Sequence, residues 1–353
     1  MRMSKWFQTA FVTFVLVGAC SFGQVWATPS WHQATGIGST VDLVEGSSNV
    51  IYGVVQGTGA GIYKSTDGGA NFSSVKSFTT PYMVDNGCGN GVLLWAATSA
   101  GLYHTADLST WTLTSGGLPS GGGVTMVAST ASNATSGCTM WATVTGVTTR
   151  GLYRSTDQGS NWSRVIVKAA TNAVSQGFGC GTSMSDTVFA GGALSLGGPS
   201  CTLLKSTDGG STFSCTSYSK TVNDLLIDCF SGSTQGHLYI TIADPATAAG
   251  SVVHSPDQGS TFSDDGSGLG DIGASNIHDD SAVGADTYQD GDVVGGYLTG
   301  MYSRANDTQG TTWSQMTTTG LTDQHIKHWI NYSLNGTFKW YVVATPSGVF
   351  YLN

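Results

Sequence analysis

Two polar segments carry side chains whose types and spacing could bind a ligand. "NIHDD" spans residues 276–280 and "DQHIKHWI" spans residues 323–330, and a third segment, "VNDLLID", adds another carboxylate. Imidazoles and carboxylates that converge would suit a divalent ion or a pair of sugar hydroxyls. The predicted ligand-binding residues are Asp224, His278, Asp279 and His325, with His328 as a further candidate.

Paired carboxylates could instead hydrolyse a glycosidic bond, which requires an acid and a second carboxylate held at a set distance. The candidates for that chemistry are Asp224, Asp228, Asp279, Asp280 and Asp286. The chain has no phosphate-binding loop, no G-x-S-x-G and no H-E-x-x-H. We therefore assign no catalytic residue from the sequence, and we expect binding rather than catalysis.

The composition favours short strands joined by many turns. Charged residues make up 10% of the 353 residues, against about 25% in an average globular protein, and 50 residues are glycine. With 22 acidic and 13 basic side chains, the chain lacks the cations that nucleic acids require. The expected partner is therefore not a nucleic acid, and no cofactor or metal is predicted.

The first 27 residues have the features of a secretory signal peptide. The basic "MRMSK" precedes the apolar "WFQTAFVTFVLV", which is too short to span a bilayer comfortably. Cleavage after Ala27 is favoured by "VWA", while "VGAC" leaves a lipid anchor at Cys20 as the alternative. No later segment reads as transmembrane. We predict a secreted chain, with a periplasmic or cell-surface location as variants, whose mature part is one domain over residues 28–353.

The cysteines agree with export. Besides Cys20 there are six of them, and no C-x-x-C pair suggests a zinc or redox site. Cys201 and Cys215 flank one hairpin, so antiparallel strands would bring them within disulfide distance. The other four follow the first strand of consecutive repeats. Pairing of neighbours predicts Cys88–Cys138 and Cys180–Cys229, and Cys138–Cys180 is an alternative.

A repeated phrase shows how these residues are positioned. Its core, S-x-D-x-G-x-[NT]-[FW], occurs at 65–72, 155–162, 206–213 and 255–262, with a shortened copy at 105–111 and an extended one at 303–313. The aspartates fall at 67, 107, 157, 208, 257 and 307. A period of about 40–50 residues with strand-like content is typical of β-propeller blades.

Each phrase has the chemistry of a hairpin turn. An apolar strand precedes it, the aspartate can accept hydrogen bonds from turn amides, and the closing aromatic residue begins the next strand. Nothing in this arrangement needs catalysis. We therefore interpret the regular aspartates as structural: Asp67, Asp157, Asp208 and Asp257.

The phrase resembles the Asp-box, or BNR, repeat of sialidases, xyloglucan-active glycosidases, sortilin-type receptors and photosystem II assembly propellers. The resemblance covers the whole mature chain and implies an all-β propeller. It says little about function, because the same fold serves enzymes, receptors and assembly factors.

Seven strand phrases predict seven blades. They start at 61, 101, 151, 202, 251, 300 and 348, and the last has no Asp box after it. The Trp-led segment at 30–36 looks like the strands that follow the other boxes. We therefore predict a seven-bladed propeller with Asp-box hairpins, closed by the N-terminal strand completing the last blade. Such closure removes exposed sheet edges.

The resemblance implies that the ligand site lies on the face opposite the Asp boxes. That face would receive the starts of the first strands, and thus the four predicted ligand residues. Their alternative role is only to hydrate the mouth of the channel. Sialidase activity is improbable, because the mature chain has four arginines, a single glutamate at Glu45 and no F/Y-R-I-P segment.

Three functions are consistent with these observations. The favoured one is a secreted propeller that binds an extracellular ligand, either a glycan or a partner protein. The alternative is a glycoside hydrolase that acts on a polysaccharide through paired aspartates, although such enzymes resemble two propellers around a cleft. The third is a structural subunit of an extracellular assembly.

Overall fold

A computed structural model describes residues 29–46, 50–87, 91–131, 138–146, 148–167, 170–176, 186–194, 201–228, 237–243, 250–269, 274–279, 292–296, 299–304, 312–334 and 338–352. Every strand in these ranges belongs to one of seven four-stranded antiparallel sheets, and none of the described residues is helical. The expectation of an all-β chain is confirmed.

The first four sheets follow one another along the chain. Sheet 1 contains β2 (Thr40–Glu45), β3 (Ile51–Val55), β4 (Gly61–Ser65) and β5 (Ser73–Ser77). Sheet 2 contains β6 (Pro81–Asp85), β7 (Leu94–Thr98), β8 (Gly101–Thr105) and β9 (Thr112–Leu113). Sheet 3 contains β10 (Val124–Ala131), β11 (Cys138–Val144), β12 (Gly151–Ser155) and β13 (Ser163–Val167). Sheet 4 contains β14 (Ala170–Gln176), β15 (Val188–Leu194), β16 (Cys201–Ser206) and β17 (Ser214–Cys215).

The last three sheets continue this order, and the final one combines both ends of the described chain. Sheet 5 contains β18 (Asp224–Asp228), β19 (His237–Ala243), β20 (Gly250–Ser255) and β21 (Ser263–Asp264). Sheet 6 contains β22 (Ala274–Asp279), β23 (Asp292–Gly296), β24 (Gly300–Ser303) and β25 (Ser314–Gln315). Sheet 7 contains β26 (His328–Leu334), β27 (Phe338–Thr345), β28 (Gly348–Leu352) and, beside β28, the N-terminal β1 (Trp31–Gln33).

The first strand of each sheet, here called its inner strand, contacts the inner strands of both neighbouring sheets. These contacts run from sheet 1 to sheet 7 and return to sheet 1 without a break. The fourth place in sheet 7 is taken by β1, whose Trp31 pairs with Leu352. The N-terminal and C-terminal strands of the described chain therefore hydrogen-bond to each other.

The turn after the third strand is built by a serine and an aspartate. In sheet 3, Ser155 Oγ donates to Asp157 at 2.8 Å and accepts from the amide of Gly159 at 2.8 Å. Asp157 also accepts from the amide of Asn161 at 2.8 Å. The same hydrogen bonds recur around Asp67, Asp208 and Asp257, and Thr105 replaces the serine beside Asp107.

These turns also join neighbouring sheets. Trp162, which follows the turn of sheet 3, lies edge-on against Trp95 of sheet 2, with ring centroids 6.5 Å apart. Gly159 has a φ of 84°, and a Cβ at this position would stand 2.3 Å from the ring of Trp95. Gly159 is required here because the turn must fit under the ring of Trp95 from the preceding sheet.

The predicted disulfide between Cys201 and Cys215 is confirmed. It joins β16 to β17, with Cα atoms 5.8 Å apart. Cys138 is also disulfide-bonded. The pairings predicted for Cys88, Cys180 and Cys229, and the signal peptide with its alternative anchor at Cys20, lie outside the described residues.

Candidate functional site

A shared irregularity aligns the inner strands. In five sheets the pairing of the first two strands skips one residue near the start of the inner strand, as in a β-bulge. The skipped residues are Val41, Tyr82, Thr125, Asn172 and Ser275. A bulge changes the direction of the side chains that follow it. The residues just after the bulge therefore have corresponding orientations in these five inner strands.

The strand register places one residue from each sheet at the same level. The level is defined by pairing across the first three strands of each sheet. In sheet 1, Asp42 pairs with Val54, which pairs with Ile62, the first large apolar residue of the third strand. In sheet 7, His328 is connected to Val349 in the same way. We call these seven positions the inner ring: Asp42, Met83, Met126, Ala173, Asp224, Asn276 and His328.

The inner ring is polar on one side only. Sheets 5, 6, 7 and 1 contribute Asp224, Asn276, His328 and Asp42, whereas sheets 2 to 4 contribute two methionines and an alanine. The four polar positions are consecutive around the circuit of inner strands. We call this run of four polar positions the polar arc.

Asp42 is the best-defined member of the polar arc. Its side chain is 5% exposed, and Oδ2 accepts a hydrogen bond from the amide of Val84 in sheet 2 at 2.8 Å. Oδ1 lies 3.2 Å from Nδ1 of His328, which also accepts from the amide of Leu43 at 3.4 Å. Asp42 thus connects sheets 7, 1 and 2 through one carboxyl group.

Burial sets the protonation of this pair. It raises the pKa of Asp42 to about 7, and the negative charges of Asp85 and Asp224 add to the increase. Burial also lowers the pKa of His328 to about 4. Both groups therefore favour their neutral forms, and near neutral pH Asp42 exchanges a proton easily. A carboxyl group in this state can both donate a hydrogen bond and accept one.

A second carboxylate, which is half-buried, lies on the neighbouring inner strand. Asp85, near the end of β6, accepts hydrogen bonds from the amide of Gly87 at 2.6 Å and from the amide of Ser129 in sheet 3 at 3.0 Å. Burial raises its pKa. Like Asp42, it uses a carboxylate on one inner strand to bind the backbone of the next.

The residues predicted from the sequence fall at different depths. Asp224 belongs to the inner ring, and its Oδ1 accepts from the amide of Leu225 at 2.9 Å. His278 and Asp279 lie two and three residues beyond Asn276 on β22, and their side chains are outside the described part. His325 precedes β26, is exposed, and bonds Asp323 at 3.1 Å.

Asp323 fixes the rim above the polar arc. Its carboxylate accepts from the amide of Ser347, in the turn between the second and third strands of sheet 7, at 2.9 Å. His325 thus stands on this rim, three residues before His328. Of the other carboxylates considered for hydrolysis, Asp228 ends β18, far from the polar arc, and Asp280 and Asp286 lie outside the described residues.

Sequence reasoning missed Asp42 and Asp85. Both lie inside apolar runs, "TVDLVE" and "PYMVD", at the starts of the first two sheets. A carboxylate within such a run must be paired or shifted in pKa, because burying a lone charge is costly. That signal was available, but only the register reveals that Asp42 is level with Asp224 and His328.

Among the described residues, no group of three or more His, Cys, Asp or Glu side chains is arranged to hold a metal ion. No described helix is long and apolar enough to cross a membrane. The carboxyl and imidazole groups of the polar arc can form hydrogen bonds and exchange protons.

No protein-family model and no curated protein matches the sequence. Solved structures do match it over nearly its full length. An ancestral GH74 enzyme is 16% identical with a TM-score of 0.69, and the match covers 92% of this chain and 46% of the enzyme. YCF48 bound to D1 peptide is 11% identical with a TM-score of 0.60, covering 93% of this chain and 97% of YCF48.

A third similar structure is the extracellular domain of a hybrid two-component system from B. thetaiotaomicron. It is 12% identical with a TM-score of 0.63, and the match covers 92% of this chain and 39% of that one. At such identities the likeness shows the fold alone, and the predicted β-propeller is confirmed. The chain spans less than half of the GH74 enzyme and of the extracellular domain of the two-component system.

Proposed function

We propose that this chain is a secreted, seven-bladed Asp-box propeller that binds an extracellular glycan at the polar arc. Each four-stranded sheet would be one blade, and β1 would close the ring in sheet 7. The serine–aspartate turns and the pairing of Trp31 with Leu352 support this assignment. The predicted signal peptide supports export.

The observation that carries the proposal is the one-sided inner ring. Groups that only hydrated the channel would have no reason to be confined to four consecutive sheets. Asp42, Asp224 and His328 offer acceptors and an exchangeable proton at one level, and His325 adds an exposed imidazole at the rim. Sugar hydroxyls, which both donate and accept, match such groups. We keep His278 and Asp279 of sheet 6 as proposed members of the site, at positions further along β22 than Asn276.

A glycan array on the full chain, followed by calorimetry on the hits, tests the proposal. The variants Asp224→Asn and His328→Gln should each weaken binding at least about tenfold, the effect of losing one ligand hydrogen bond to a buried partner. The pair Asp279→Ala with His325→Ala should do the same. Asp186→Asn removes a carboxylate from an exposed turn of sheet 4 beside the Asp208 turn, on the opposite face, and should leave the affinity unchanged.

The outcomes separate the alternatives. Binding that survives all the arc variants would refute the site. Binding to a peptide or protein, with an empty glycan array, would assign the arc to a protein partner instead. Polymers in electron micrographs, without any ligand, would favour a structural subunit.

Hydrolysis is the second candidate, and a specific observation favours it. The general acid of a glycosidase is a carboxyl group with a raised pKa that lies near a second carboxylate. Asp42 has such a raised pKa, and the charges of Asp224 and Asp85 act on it. Turnover of a bound polysaccharide that disappears in Asp42→Asn while binding persists would establish it. Binding without turnover supports the binding protein.

A further inference from the structure

The third strands carry a cationic or imidazole side chain just before the turn serine or threonine. In sheets 1 to 5 the residues at this position are Lys64, His104, Arg154, Lys205 and His254. In sheets 3 and 4 this side chain reaches the turn of the next sheet: Arg154 donates to Ser211 Oγ at 3.0 Å and Lys205 donates to the carbonyl of Gln258 at 2.8 Å. Sheet 5 departs from this pattern.

His254 is completely buried. Its Nε2 lies 2.9 Å from Nδ1 of His237, and its ring stacks on Tyr239 with centroids 4.7 Å apart. Its Nδ1 is buried and has no hydrogen-bond partner in the described part of the chain. A protonated His254 would therefore hold one N–H without an acceptor, in addition to a charge removed from water.

Sheet 6 places a cation against this cluster. Ser303 pairs with the first residue of β25, as Lys64 does with that of β5, so Arg304 takes the place of Ser65. The Arg304 guanidinium lies 5.2 Å from the ring centre of Tyr239 and 4.6 Å from that of Trp313. Its Nη1 bonds Asp265 of sheet 5 at 2.5 Å, and Trp313 Nε1 donates to the carbonyl of Asp265 at 2.8 Å.

The junction between sheets 5 and 6 is therefore a buried ion pair with His254 beside it. Four charged or titratable groups act on His254: His237, Asp257, Asp265 and Arg304. His237 and Arg304 oppose a positive charge on His254, and the two aspartates favour it. Asp265 is already bonded to Arg304, which limits how much charge it can offset.

We propose that His254 is an acid-sensitive latch, whose protonation loosens the junction between sheets 5 and 6 while the other junctions stay closed. Neutral His254 packs on Tyr239 and leaves Arg304 on Asp265. Protonated His254 needs water or an acceptor at its buried Nδ1, and in the latch this access opens where Tyr239 packs between His254 and Arg304. This regulation is independent of the ligand that the polar arc binds.

The direction of the effect follows from linkage. Burial, with help from His237, lowers the pKa of His254 to about 4 from an ordinary value of 6.5. The opened state then binds more protons than the closed state in this range, so the closed junction is fully favoured above pH 6.5 and loses stability as the pH falls toward 4. At pH 5 these two pKa values permit up to about a 20-fold rise in opening relative to pH 7.

Hydrogen exchange tests the latch on the full chain. At pH 5, peptides covering residues 237–243 and 312–316 should exchange faster in the wild type than in His254→Gln, which keeps a partner for His237 but cannot be protonated. At pH 7 the two proteins should match. His104→Gln is the matched control: it changes the equivalent position of sheet 2, where the imidazole is only partly buried, and should exchange as the wild type does.

Equal exchange of the wild type and His254→Gln at pH 5 would refute the latch. If His254→Gln does not fold, the NMR titration of the wild-type histidines decides the matter. The latch requires the His254 imidazole to titrate well below pH 6 and its protonation to coincide with faster exchange in the two peptides. Titration near 6.5, or protonation without faster exchange, would overturn it.

Discussion

Asp42 of β2 meets His328 of β26, with Oδ1 and Nδ1 3.2 Å apart, where sheets 1 and 7 adjoin. Unfolded, this pair carries one proton between about pH 4 and 6.5, held by the histidine. Folded, it also carries one proton in that range, because burial moves the pKa of Asp42 to about 7 and that of His328 to about 4. The two shifts nearly cancel, so the pair contributes little pH dependence to stability.

Replacing either residue of this pair should make the pKa shift of the other visible as a pH dependence of stability. In His328→Gln, the raised pKa of Asp42 remains, so the folded state binds the extra proton and stability falls as the pH rises from about 4 to 7. In Asp42→Asn, the lowered pKa of His328 remains, so stability rises with pH from about 4 to 6.5. Each slope approaches about 1.4 kcal/mol per pH unit for one proton.

Urea unfolding at several pH values measures both slopes relative to the wild type. His325→Gln is the control, since it removes an exposed imidazole of the rim and leaves the Asp42–His328 pair intact. Slopes of the same sign in the two variants would show that the protons are not shared as described.

Replacing Gly320, which lies between sheets 6 and 7, should strongly lower the thermal stability. The amide of Trp31 donates to the carbonyl of Thr319 at 2.8 Å, and a Cβ on Gly320 would stand 2.0 Å from the carbonyl oxygen of Trp31. Gly320→Ala should therefore cost well over the roughly 1 kcal/mol of an unfavourable φ alone. Gly57→Ala is matched to it, because Gly57 has a φ of 81° but nothing within 4 Å.

Differential scanning calorimetry compares the two alanine variants. The difference between them isolates the contact of the N-terminal strand from the backbone strain that both share. Equal losses of thermal stability would mean that Trp31 moves away at no cost, and the closing strand would not depend on this contact.

The Cys201–Cys215 disulfide should stabilise sheet 4. A closed loop of about 15 residues contributes roughly 3 kcal/mol by restricting the unfolded chain. The double variant Cys201→Ser with Cys215→Ser should therefore unfold at a lower urea concentration, with little change in the ligand affinity of the polar arc. A midpoint equal to that of the wild type, with the bond verified by mass spectrometry, would contradict the estimate.

Much of the fold could be read from the sequence because each repeat carries its own turn chemistry. Ser155, Asp157 and Gly159 bond within five residues, so their spacing alone predicts the hairpin. The spacing of Cys201 and Cys215 predicted their bond for the same reason. Local interactions of this kind leave a periodic trace in the chain.

The candidate site left a weaker trace, since it depends on the register between distant strands. The segment "DQHIKHWI" offers two histidines, and only the pairing of His328 with Ala344 shows which one is level with Asp224. Asp42 is a lone carboxylate in an apolar strand, and its role follows from contacts with sheets 2 and 7. Arg304 likewise gains its partner from another sheet.

Arg304 and Asp265 should be strongly coupled. Both side chains are almost fully buried, and the guanidinium is enclosed by Tyr239 and Trp313. Arg304→Met leaves Asp265 without its partner and should lower the free energy of unfolding by about 3–5 kcal/mol. The double variant with Asp265→Asn removes the charge that remains and should recover part of that loss.

Lys205→Met is the control. It removes a partly buried cation 5.7 Å from the ring centre of Phe189 and should cost no more than about 1 kcal/mol. A double-mutant cycle by urea unfolding measures the coupling, and additive losses for Arg304 and Asp265 would show that the pair does not hold the junction between sheets 5 and 6.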